Sequence, residues 1–120
     1  MPNPAILLVD DEPMVLRAAS AALSSAGYII EVAENGVDAI RMFRERPDGF
    51  ALIITDVVMP LMGGLELAAQ AFALQPEIKV LLLSGYNDVK AAAGGRPLPL
   101  LRKPFLPDEL RATIRTLLGS

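Results

Sequence analysis

Four short apolar runs each lead into residues that could do chemistry. Ala5–Val9 stops at Asp10-Asp11-Glu12, Phe50–Thr55 at Asp56, Ile78–Leu83 at Ser84, and Leu98–Leu101 leads into Arg102 and Lys103. The chain has no cysteine and no histidine. Thiol catalysis, disulfides and thiolate metal sites are therefore excluded, and the usual neutral-pH acid–base and zinc ligand are missing. What remains is the chemistry of carboxylates, a hydroxyl, an ammonium and a hard metal. Three carboxylates brought together repel, and a proton or a cation must relieve them. With oxygen ligands alone, Mg²⁺ is the natural cation. It keeps several waters and takes few carboxylates, which suits a shallow pocket that receives a phosphate. Lys103 would balance phosphate charge there, and the Ser84 hydroxyl would donate a hydrogen bond.

Such a site needs a scaffold that brings distant strand ends together. Ala5–Val9, Tyr28–Ala33, Phe50–Thr55, Ile78–Leu83 and Leu98–Leu101 read as strands. They are continuous apolar runs, the pattern of strands covered on both faces. Between them, helical spacing runs from Pro13 to Gly27, over Val37–Arg46 and over Leu65–Leu74, and a last helix spans Asp108–Leu118. Val89–Ala93 has room for only a short fourth helix before Gly94-Gly95. Alternating strands and helices predict an α/β fold: a five-stranded parallel sheet, doubly wound and flavodoxin-like, (βα)5 with strand order 2-1-3-4-5. In that order strands one and three are neighbours at the switch point, so Asp10, Asp11 and Asp56 would share one pocket.

Composition fits this reading. The length of 120 residues suits one compact domain, and 52% apolar content supplies its core. A net charge of −3 argues against a direct nucleic-acid surface. No run is long enough to span a membrane, and nothing at the N-terminus reads as a signal peptide, so a cytoplasmic location is expected.

Taken singly, each motif has a plainer reading. Asp10-Asp11 could cap a helix, Asp56 could be a loop aspartate, Ser84-Gly85 a turn and Lys103 a surface lysine. Their joint order is more specific. Val9-Asp10-Asp11-Glu12, Asp56-Val57-Val58-Met59-Pro60 with Gly64, Ser84-Gly85 and Lys103-Pro104-Phe105 together resemble the receiver domains of two-component response regulators. The resemblance covers the whole chain, 1–120, as a single receiver domain. It implies that Asp56 accepts a phosphoryl group and that Asp11 ligates Mg²⁺ directly, with Asp10 acting through a bound water. The Val58 backbone carbonyl would be a further ligand. Ser84 would turn toward the phosphoryl group, and Lys103 would pair with it after a cis Lys103–Pro104 bond. The implied donor is a phosphohistidine on a partner histidine kinase or histidine phosphotransfer protein. The implied output is a conformational change.

The chain departs from the family pattern in places. Leu100 stands where many members carry Tyr or Phe, which disfavours the usual hydroxyl–aromatic coupling and suggests core packing. Tyr86, two residues after Ser84, is a candidate modulator of phosphate lifetime, or simply a loop tyrosine. Gly63 replaces a common capping residue. The stunted fourth helix resembles receivers of hybrid histidine kinases more than those fused to DNA-binding domains. Two other readings are a degenerate receiver that binds partners without phosphorylation and a Mg²⁺-dependent phosphatase with a carboxylate nucleophile. The latter needs an acid or base two residues after its nucleophile: Asp56 is followed by Val57-Val58, and the Asp10 side offers only Glu12, a weak match.

Overall fold

The computed structural model describes residues 4–85, 92–93 and 95–119. Its central sheet contains β1 (Ala5–Val9), β2 (Ile30–Ala33), β3 (Phe50–Asp56), β4 (Lys79–Ser84) and β7 (Leu100–Arg102). Their order is β2-β1-β3-β4-β7, all parallel. This is the expected flavodoxin-like arrangement, with β7 in the fifth place. Two short strands, β5 (Ala92–Ala93) and β6 (Arg96–Pro97), form a separate antiparallel pair.

The apolar runs are continuous because alternate residues feed two cores. Leu7, Val9, Ile53, Val80 and Leu82 face one side, where they pack with Phe43, Leu67 and Ala71. Ile6, Leu8, Leu52, Ile54, Leu81 and Leu83 face the other, with Leu23, Leu110 and Ile114. The first layer is closed by α2 (Gly36–Glu45) and α3 (Gly64–Leu74), the second by α1 (Pro13–Ser25) and α4 (Pro107–Leu118). Each fully buried Leu or Ile contributes roughly 1.5–3 kcal/mol.

Local signals set the helix ends. Pro13 opens α1, and Gly27 at φ 95° follows its last turn. The Asn35 side chain caps α2 by accepting from the Asp38 N–H at 2.8 Å. The Leu106 N–H at the start of α4 donates to Glu109 at 2.8 Å.

The expected fourth helix, Val89–Ala93, lies for the most part outside the described residues. Its last two residues, Ala92 and Ala93, are strand, paired with Pro97 and Arg96 across a turn in which Gly95 takes φ 76°. Arg96 anchors this pair, with its guanidinium 4.1 Å from the centroid of the Phe72 ring and hydrogen-bonded to the Pro76 carbonyl. A few residues cannot hold a helix alone, and here the chain packs as a hairpin on α3 instead. The fifth strand of the sheet runs Leu100–Arg102 rather than Leu98–Leu101, although the Pro99 carbonyl already accepts from Leu82 at 3.0 Å. Leu100 is half-buried and packs against the α2–α3 core, the role expected of it. No helix among the described residues is long and apolar enough to cross a membrane.

Candidate functional site

The site forms where β1, β3, β4 and β7 end together. Asp10 leaves β1 with its N–H donating to the Ala33 carbonyl at 3.2 Å. Asp56 is the last residue of β3, beside Leu83 of β4. Main-chain bonds fasten the end of β4 on both sides: Val57 N–H donates to Leu83 at 3.0 Å, and Lys103 N–H to Ser84 at 2.8 Å. The Lys103–Pro104 peptide is cis.

Lys103 is the hub. Its Nζ lies 2.7 Å from Asp10 Oδ2, 3.1 Å from Glu12 Oε1 and 3.2 Å from Asp56 Oδ2. Asp10 is fully buried, Asp56 and Ser84 are nearly so, and Asp11 is exposed. Asp11, Glu12, Asp56, Val58, Gly85 and Lys103 line an open pocket of about 480 Å³. Of the residues expected in the site, the fold brings Asp10, Asp11, Asp56, Val58 and Lys103 together, with Ser84 at the adjoining strand end. Tyr86 lies outside the described residues.

Burial raises the Asp56 pKa above the usual carboxylate value. Lys103 opposes that shift, the Asp10 charge adds to it, and the Val58 N–H helps the charged form. Lys103 cannot cancel the cost because it is shared with Asp10 and Glu12. Its own pKa feels burial first, which would lower it. The Asp10 carboxylate at 2.7 Å, the hydrogen bond to Glu12 and the charges of Asp10 and Asp56 outweigh burial, so the ammonium is held well above its ordinary value.

The donor set fits a hard divalent cation. Carboxylate oxygens of Asp10, Asp11, Glu12 and Asp56 all lie within 4.8 Å of one another, and among the described residues the Lys103 ammonium pairs with three of the four, Asp10, Glu12 and Asp56. Asp10 Oδ2 is buried and touches Lys103, yet receives no donor in hydrogen-bonding geometry. A buried carboxylate oxygen so poorly satisfied is what a cation or its bound water would relieve.

Three contributors to the site's geometry were given no such role from sequence. Glu12 reaches Lys103 across the chain, where the sequence shows only a third acidic residue in a row. Gly64 starts α3 directly under Asp56: a Cβ there would lie 2.2 Å from the Asp56 carbonyl oxygen. Thr55, fully buried, donates its hydroxyl to that same carbonyl at 3.0 Å.

The sequence model of the response regulator receiver domain matches residues 6–115. The chain belongs to this family. Among relatives of this receiver is the response regulator receiver protein CpdR of Brucella abortus, 36% identical over 83% of this chain and 84% of that protein. The response regulator MprA of Mycobacterium leprae is 38% identical over 94% of this chain but only 50% of its own length. This receiver therefore spans about half of MprA. The crystallised receiver domain of the hybrid histidine kinase CckA superposes with a TM-score of 0.83 at 29% identity, covering 95% of this chain and 98% of that one. A receiver is a signalling domain of two-component systems, not an enzyme of the phosphatase type considered from sequence.

Proposed function

We propose that this receiver takes a phosphoryl group onto Asp56 and assists both its own phosphorylation and its own dephosphorylation. The observation that carries the reading is the Asp56 carboxylate itself. It faces an open pocket between the Lys103 ammonium and a cluster of oxygen donors. Asp11, Asp56 and the Val58 carbonyl would hold Mg²⁺, with Asp10 through a water. The metal would neutralise charge on the transferring group and orient it for in-line attack. Lys103 would pair with a phosphoryl oxygen, and Ser84 would hydrogen-bond to another. These residues position groups and balance charge, and such transfer asks little more.

These 120 residues contain no histidine, so the phosphohistidine donor would lie outside them, on a histidine kinase or a histidine phosphotransfer protein. We assign residues 1–120 to one receiver domain acting in the cytoplasm. The signal would pass through the ends of β4 and β7, which the Lys103 N–H to Ser84 bond ties together. Leu100 would shape that path by packing and not by an aromatic swing.

Intact-mass measurement after incubation with acetyl phosphate and Mg²⁺ tests this. One phosphoryl group should be added to the wild type, and none without Mg²⁺ or in Asp56→Asn. An unlabelled wild type under conditions that trap labile phosphate, with metal binding shown separately, would instead favour a receiver that works unphosphorylated.

A further inference from the structure

Lys103 has three ammonium hydrogens and three carboxylates within 3.2 Å. The carboxylates are not equivalent. Asp10 is fully buried and Asp56 nearly so, whereas the Glu12 side chain is 60% exposed. The Glu12 backbone is fixed: its N–H donates to Asp10 Oδ1 at 2.9 Å, and its carbonyl accepts from Val15 and Leu16. Its side chain makes no capping bond at the start of α1. It reaches instead over the pocket to a lysine 91 residues away.

A phosphoryl group on Asp56 places charged oxygens in the pocket that Glu12 lines. A new bond from Lys103 to one of them competes with its hydrogen bonds to Glu12 and Asp56 and its ion pair with Asp10. Asp56 loses its carboxylate charge on phosphorylation, so Asp10 and Glu12 are the partners that stay charged. Releasing Asp10 would strand a buried charge, which is costly. Releasing Glu12 costs little, because an exposed pair is weak and its carboxylate can turn to water.

We propose that Glu12 is a positioning residue that occupies one N–H of Lys103 in the resting receiver and yields it to the incoming phosphoryl group. This rests on the reading of Asp56 as phosphoacceptor. In the step with acetyl phosphate, a bond forms between an Asp56 carboxylate oxygen and phosphorus. The bond from phosphorus to the acetate oxygen breaks, acetate leaves with the electron pair, and no proton moves. Glu12 takes no part in bond making. It competes for Lys103 and repels the anionic donor at the mouth of the pocket.

The test is the rate of labelling against acetyl phosphate concentration at saturating Mg²⁺, for wild type, Glu12→Gln and Asp56→Asn, with the lifetime of the product. Glu12→Gln keeps length and shape but removes the charge. It should lower the half-saturating donor concentration roughly threefold to fivefold and lengthen the phosphoryl lifetime similarly, the size of effect a surface ion pair supports. The maximal rate should change less than the half-saturation. A merely structural role at the start of α1 would not produce that split. Labelled wild type with unchanged half-saturation and lifetime in Glu12→Gln overturns the role of Glu12 and leaves Asp56 standing. Wild type that labels no more than Asp56→Asn overturns both.

Discussion

Gly64 lies so close beneath Asp56 that a methyl group on it would stand 2.2 Å from the Asp56 carbonyl oxygen and 3.1 Å from the Thr55 methyl. The contact is backbone against backbone, so no side chain can turn away to make room. Gly64→Ala should therefore push the start of α3 off β3 and shift Asp56. The expected cost is about 1–3 kcal/mol in denaturant unfolding, the usual range for overpacking, together with slower labelling by acetyl phosphate. Gly85→Ala, where an added Cβ meets nothing within 4 Å among the described residues, is the control and should unfold like the wild type.

Lys103 carries charge balance for Asp10 as well as Asp56. Lys103→Ala would leave the fully buried Asp10 without a counter-charge, and breaking a buried pair from one side costs roughly 3–5 kcal/mol. Unfolding in EDTA should show a loss of that order. Adding Asp10→Asn should recover much of it, because the stranded charge is then gone. Labelling of Lys103→Ala by acetyl phosphate should fall about a hundredfold, as when a single charge-stabilising donor is removed. Equal stability of the single and double variants would exclude Asp10 as the cause.

The raised pKa of Asp56 fixes the sign of a pH effect. A carboxyl whose folded pKa exceeds its unfolded value of 3.8 stabilises the fold fully only below that value, and loses the contribution as pH rises through the folded pKa. At neutral pH in EDTA, ionised Asp56 is therefore a burden. Asp56→Asn should be the more stable protein at pH 7, with the gap narrowing as pH falls toward 3.8. Mg²⁺ should reverse the order at pH 7 by binding the folded wild type, which gains about 2.7 kcal/mol at a hundredfold excess over Kd. Thermal melts with and without Mg²⁺ at several pH values read both effects. A wild type more stable than Asp56→Asn at pH 7 in EDTA would refute the sign.

Met14 is 76% exposed and lines an apolar groove with Val15, Ala18, Pro104 and Phe105 that also includes Glu12 and Lys103. A donor protein delivering a phosphohistidine to Asp56 has this groove beside its path. Met14→Glu should cut transfer from a phosphorylated partner kinase about tenfold, the scale of one lost interface anchor. Labelling by acetyl phosphate should stay close to wild type. A parallel fall in both rates would place the fault in the pocket and not in docking.

The sequence by itself determined the fold class, the order of the main sheet and which polar residues gather at the strand ends. Continuous apolar runs ending in Asp10, Asp56, Ser84 and Lys103 leave few other arrangements, because a parallel sheet covered on both faces gathers its strand ends on one side. The ends of α1 were equally legible, since Pro13 and Gly27 act on their immediate neighbours. Tertiary structure alone decided how the acids differ. Asp10 and Asp11 are adjacent and chemically alike, yet successive residues leaving a strand point to opposite sides, so one is fully buried against Lys103 and the other faces solvent. Tertiary structure also paired Glu12 with Lys103, set Gly64 beneath Asp56 and turned Ala92–Ala93 into half of a hairpin held by Arg96 on Phe72. Each of these is a contact between segments far apart in the chain. Local spacing encodes which side chains share a face, but the neighbour across the gap is fixed only when the packed elements close on one another.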